Sequence, residues 1–181
     1  MGALEFHPQN DTPATPCHSG KIPLWLVLLD NIPTVSLFIL GFLIIQLISD
    51  VAAILFAVYA GFSVVWFWAR ICPSCHHYKT FACPCGYGII SSRLFSRRDP
   101  RSFQKVFKRN LPVVFPNWFV PFAVGIYLLI TDYSWKLLVL MVLFSVIGFG
   151  IIPLISKLVG CKNCKIKEDC PWMTMNRKHS C

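Results

Sequence analysis

Nine cysteines punctuate this 181-residue chain, and their spacing is that of metal ligands or redox thiols. The first group reads Cys72-Pro-Ser-Cys75-His76-His77 and then Cys83-Pro-Cys85-Gly86. Four thiolates so close in sequence can close a tetrahedral shell, as zinc or an iron-sulfur cluster requires, and Gly86 supplies the backbone freedom a tight ligand turn needs. His76 is a further candidate ligand; His77 reads as a bystander, because adjacent histidines seldom both enter one small site. The second group reads Cys161-Lys-Asn-Cys164 and then Cys170-Pro171-Trp172, with Cys181 at the end. These thiols either complete a separate site or pair with Cys17 or the loop, and their spacing is related to iron-sulfur ligand runs. Lys162, Lys165 and Lys167 would offset the charge of an anionic thiolate-metal centre.

Two other chemistries share the first group. Cys72-Pro-Ser-Cys75-His76 has the spelling of a c-type haem attachment site, and any Cys-x-x-Cys pair can run thiol-disulfide exchange. The topology derived below opposes both, since haem attachment and membrane dithiol oxidation use the oxidising side. Paired catalytic carboxylates, a phosphate-binding glycine loop and a serine-histidine-acid set are all missing from the sequence, which points away from a hydrolase or a kinase. Asp30 is the one acid placed where it could sit within the membrane, with helix capping, an interfacial position or proton relay as its alternatives.

The elements that hold these residues follow from composition. Hydrophobic residues make up 55% of the chain and charged ones only 14%, against about 25% charged in soluble domains. Four apolar runs approach the ~20 residues that cross a bilayer core. The expected fold is all-α, a polytopic four-helix membrane bundle of two helical hairpins with a cysteine-rich cytoplasmic loop and C-terminal tail. Residues 1–21 form an N-terminal tail, 22–71 the first hairpin, 72–112 the loop, 113–155 the second hairpin and 156–181 the tail. No signal peptide is expected, and the Asn10-Asp11-Thr12 sequon is taken as chance.

Within this plan the first span runs from about Pro33 to Ile48, with Asn31 as its cap. The short apolar segment Ile22 to Leu29 either lies in the interface or extends the helix through a kink at Pro33. Ala53, Ala57 and Gly61 form a small-residue packing stripe on the second span, Val51 to Ile71. Trp66, Trp68 and Arg70 mark its exit from the membrane. Pro121 kinks the third span, Val113 to Ile130, and Gly148, Gly150 and Pro153 bend the end of the fourth, Trp135 to Ile155.

Charge fixes the orientation. With the termini and the 72–112 loop on one side, sixteen of the seventeen Lys and Arg residues lie there, and only Lys136 lies opposite. The positive-inside rule makes that side cytoplasmic, in a cell (plasma or inner) membrane. The net charge of +9 is therefore a signal of topology rather than of nucleic-acid binding. Asp99-Pro100 resembles a cap and first turn for a helix carrying Phe103, Val106, Phe107 and Leu111 on one face and Arg101, Lys105, Lys108 and Arg109 on the other. Such a helix belongs in the interface beside anionic lipid headgroups, either as a docking or lipid-sensing element or, the favoured reading, simply as a link between the spans.

All nine cysteines fall outside the spans, on the cytoplasmic side, where stable disulfides are rare. Metal ligation by Cys72, Cys75, Cys83, Cys85, Cys161, Cys164 and Cys170, with Cys181 and His76 as further candidates, is the leading expectation. In layout the chain resembles membrane-bound polyferredoxin subunits that pass electrons from quinol: several spans, cytoplasmic cysteine motifs between them and a C-terminal cysteine cluster. It has neither their Cys-x3-Cys-Pro motifs nor a full ferredoxin run, and no Asp-His-His-Cys of palmitoyl transferases, so no family follows. The expected function is electron transfer with a membrane or cytoplasmic redox partner. The alternatives are a non-enzymatic scaffold or assembly factor folded by zinc and, third, a carrier for soft metal ions.

Overall fold

The computed structural model describes residues 23–161 apart from His76, Ala82 and Pro84. Calls of the sequence on Cys17, His76, Cys164, Cys170, Cys181 and the Asn10 sequon lie outside the described residues. The chain is a four-helix membrane bundle with no strand among the described residues. Helix α1 covers Leu24–Gln46 and α2 Asp50–Arg70. The loop holds two short helices, α3 (Tyr87–Leu94) and α4 (Phe103–Asn110), and α5 (Pro116–Thr131) follows. The last span is α6 (Trp135–Ser145), a π-helical stretch Val146–Ile151 and the short α7 (Ile152–Ile155). The four apolar helical stretches run 23, 25, 29 and 24 residues. At 1.5 Å per residue the shortest spans about 35 Å, more than the ~30 Å of hydrocarbon.

Of the two alternatives for the segment before Pro33, helix extension holds, because α1 is continuous from Leu24 through Pro33. Proline removes one donor inside a helix, and local side-chain bonds support the backbone there. Three other expectations change. Asn31 donates from Nδ2 to the Val27 carbonyl (2.7 Å), so it sits within the helix rather than capping it. The small-residue stripe also shifts: Ala53, Phe56, Ala60 and Ser63 form the buried face of α2, while Ala57 and Gly61 point outward. Asp99, finally, does not begin α4; the 3₁₀ turn Pro100–Ser102 intervenes, and Ser102 donates to the Asp99 carbonyl from both Oγ (2.7 Å) and its backbone N–H (3.2 Å).

Packing centres on α1, which touches α2, α5 and α6. Leu37 and Ile44 of α1 meet Leu137, Met141 and Phe144 of α6 in the main core. A Cβ on Gly125 of α5 would overlap the Met141 sulfur, so that crossing depends on a missing side chain. The lipid-facing positions are the apolar ones, such as Val51 and Ile130, whereas Asn117 and Ser63 are buried and bonded to one another (2.8 Å). Polar atoms turned inward and apolar atoms outward is the arrangement hydrocarbon demands. Pro153 deprives the fourth span of one helical donor, and the bend expected there takes the form of π-helical turns on either side of α7.

Candidate metal centre

Cys72 and Cys75 are placed by the end of α2. The helix stops at Arg70, and the 3₁₀ turn Cys72–Ser74 closes with the Cys75 N–H on the Cys72 carbonyl (3.0 Å). Cys83 and Cys85 precede α3, whose start is set by Gly86 in the left-handed region at φ 72°, a conformation side chains disfavour. Two helix ends thus present the two cysteine pairs, and α3 joins them: Ser91 donates from Oγ to the Trp68 carbonyl (2.8 Å), and Tyr87 sets its ring edge-on to Trp68 at 5.7 Å.

Together the four thiols line one cavity of about 150 Å³. His77, Tyr87, Phe67, Phe103 and Phe107 line it as well. No disulfide joins these four cysteines. Among the described residues no three His, Cys, Asp or Glu side chains already form a closed ligand group. The donor set nevertheless fits a thiophilic metal by its chemistry, because one of the sulfurs is prepared as a thiolate. Cys83 Sγ shares a hydrogen bond with the Cys85 thiol and accepts backbone N–H groups, that of Gly88 at 3.4 Å and those of Cys85 and Gly86. The Cys85 thiol first, then these N–H groups, outweigh burial and draw the Cys83 thiol down to about 6. Cys85 moves the other way, held protonated by its bond to Cys83 and by burial. Gly88 has to be glycine here, since a Cβ would overlap the His77 carbonyl oxygen.

The first span takes part in the site, which the sequence only partly foretells. The Asp30 side chain is hydrogen-bonded to Cys85, and Asn31 donates from Nδ2 to the Cys85 carbonyl (3.1 Å). Two adjacent polar residues of an apolar helix therefore approach Cys85, Asp30 beside its thiol and Asn31 on its backbone carbonyl. Asp30 lies inside α1 and is not its cap. Tyr87 is half-buried here, and its partial burial followed by the charges of Cys85 and Asp30 pushes its phenol up.

His77 lines the cavity alongside the thiols, and Phe103 and Phe107 line it from α4. Cys161 ends the last helical turn of the fourth span. Compared with known protein families, curated proteins and solved structures, the chain shows no match, so the function is argued from the site alone. Fold and site define a class: a polytopic helical membrane protein whose loop gathers four thiols at one end of the bundle.

Proposed function

We propose that Cys72, Cys75, Cys83 and Cys85 ligate a metal centre that transfers electrons within a membrane redox assembly, on the cytoplasmic face of a cell membrane. The observation that carries this reading is the convergence of two separate cysteine pairs on one cavity of about 150 Å³. That is room for more than a single ion, since one water-sized probe occupies only ~10–15 Å³, and it favours an iron-sulfur cluster over zinc. When bound, such a cluster supplies a one-electron couple. The protein's own contribution is the set of N–H groups on Cys83, which stabilise negative sulfur, and the aromatic wall that keeps water away. The basic orientation supports a cytoplasmic site, and Arg70, stacked 5.0 Å from the Trp66 ring centroid, suits an anionic headgroup region.

A structural zinc is the second reading, favoured by how firmly the ligand loop is stitched to the bundle. Asn31 holds the Cys85 carbonyl, and the Arg98 N–H holds the Pro73 carbonyl (3.0 Å). On this reading His76 is a further candidate ligand of the same centre, and Cys161, Cys164, Cys170 and Cys181 would either join it or supply a second one.

Anaerobic purification of the full chain tests the reading. Brown protein containing iron and labile sulfide is expected, with the colour lost in Cys72→Ser and Cys83→Ser. Colourless protein with stoichiometric zinc overturns electron transfer in favour of the scaffold, and folded metal-free protein overturns both. Loss of all metal in Cys161→Ser as well as in Cys72→Ser would show a single shared centre.

A further inference from the structure

Helix α4 has two faces with different tasks. Phe103 and Phe107, with ring centroids 5.7 Å apart, line the thiol cavity, while Lys105, Lys108 and Arg109 are exposed on the opposite side. The helix covers the thiols with an aromatic inner face and a cationic outer one. Exposed Arg97 and Arg98 continue this surface, and the Arg98 N–H bond to the Pro73 carbonyl holds them beside the first thiol turn. Asp99 is the single acid between residues 72 and 112.

A helix that binds a membrane surface needs an apolar face to bury among the acyl chains. In α4, which opens the apolar stretch Phe103–Thr131, Phe103 and Phe107 line the cavity, and the charged face is exposed at that end of the span, where a partner at the membrane surface can reach it. A one-signed surface around a site draws oppositely charged partners to it and raises their association rate by roughly 10- to 1,000-fold.

We propose that the outer face of α4, with Arg97 and Arg98, is the docking surface for an acidic, soluble electron-carrier protein that exchanges one electron with the centre beneath. The reduced carrier loses one electron and the oxidised centre gains it, with no bond made or broken. The proposal rests on the electron-transfer reading above.

The test uses the full, metal-loaded chain in nanodiscs of zwitterionic lipid, with three acidic carriers as probes: a plant-type ferredoxin, a flavodoxin and a rubredoxin. The bimolecular exchange rate with at least one carrier should fall about tenfold or more between about 20 and about 300 mM salt. A comparable loss is expected in the triple variant Lys105→Glu, Lys108→Glu, Arg109→Glu, with metal content and reduction by dithionite unchanged. Rates indifferent to both salt and charge reversal overturn the docking surface. So does a variant that exchanges normally but no longer interacts with vesicles containing anionic lipid, because the face would then be a lipid contact. Metal-free wild-type protein overturns the centre itself, an outcome read separately from either of these.

Discussion

The Cys83 sulfur lies where the N–H groups of Cys85, Gly86 and Gly88 converge, and Cys85 offers it a thiol hydrogen as well. Each of these donors favours the thiolate, so in metal-free protein Cys83 should react with iodoacetamide down to about pH 6, while Cys85 reacts only under far more alkaline conditions. Cys85→Ala, which removes the S–H donor, should move the Cys83 profile to higher pH; a profile left in place would show that the Cys85 thiol is not the donor. The same shift has a consequence for stability. A thiol whose folded value lies below its usual 9.0 contributes stability that is complete above that value and is lost as pH falls through about 6. Metal-free protein should therefore melt at lower temperature as pH is taken from 9 towards 6, and less so in Cys83→Ala. Gly88→Ala places a Cβ against the His77 carbonyl, which should cost about 1–3 kcal/mol and reduce metal retention measured by metal analysis. The cysteine pairs were legible from spacing alone. Asp30, Tyr87 and His77 were not legible as neighbours of the thiols, because for Asp30 the approach to Cys85 bridges more than fifty positions of sequence and no local pattern encodes it.

At the level of elements, hydropathy located the four spans, since the cost of placing each residue in hydrocarbon is largely local. It placed their ends less well. α1 runs nine residues further toward its N-terminus than the expected start at Pro33, because Leu24 onward is apolar and Asn31 bonds within the helix. Helix α3 is not expected from the sequence: of its neighbourhood only Gly86 stands out, as the residue of a tight ligand turn. It forms because Gly86 makes the left-handed entry and the helix then packs Tyr87 on Trp68 and bonds Ser91 to the Trp68 carbonyl. Between α2 and α5 the key contact is Asn117 Nδ2 on Ser63 Oγ, buried among apolar groups. Asn117→Ala should cost about 0.5–1.5 kcal/mol, measured by unfolding in mixed detergent, and combining it with Ser63→Ala should add little. Full additivity of the two would show that the pair does not act as a unit.

For the whole molecule, both cysteine pairs lie at the end of the bundle that also bears the basic residues. A membrane-impermeant maleimide should accordingly label half-buried Cys75 in inverted vesicles and not in right-side-out ones. Labelling only in right-side-out vesicles would reverse the orientation and reopen the haem and dithiol chemistries. The sequence by itself determined that this chain carries four helices long and apolar enough to cross a membrane, and that its loop cysteines lie in the same connecting segment as much of its positive charge. Those properties are sums over single residues, of transfer free energy in one case and of charge in the other. Tertiary structure alone decided that the two cysteine pairs open onto one cavity, that Asp30 and Asn31 of the first span approach Cys85, and that Phe103 and Phe107 of α4 line the thiol cavity. Those are matters of packing between segments distant in the chain, fixed only when α1 docks against the loop and the helix ends are brought together.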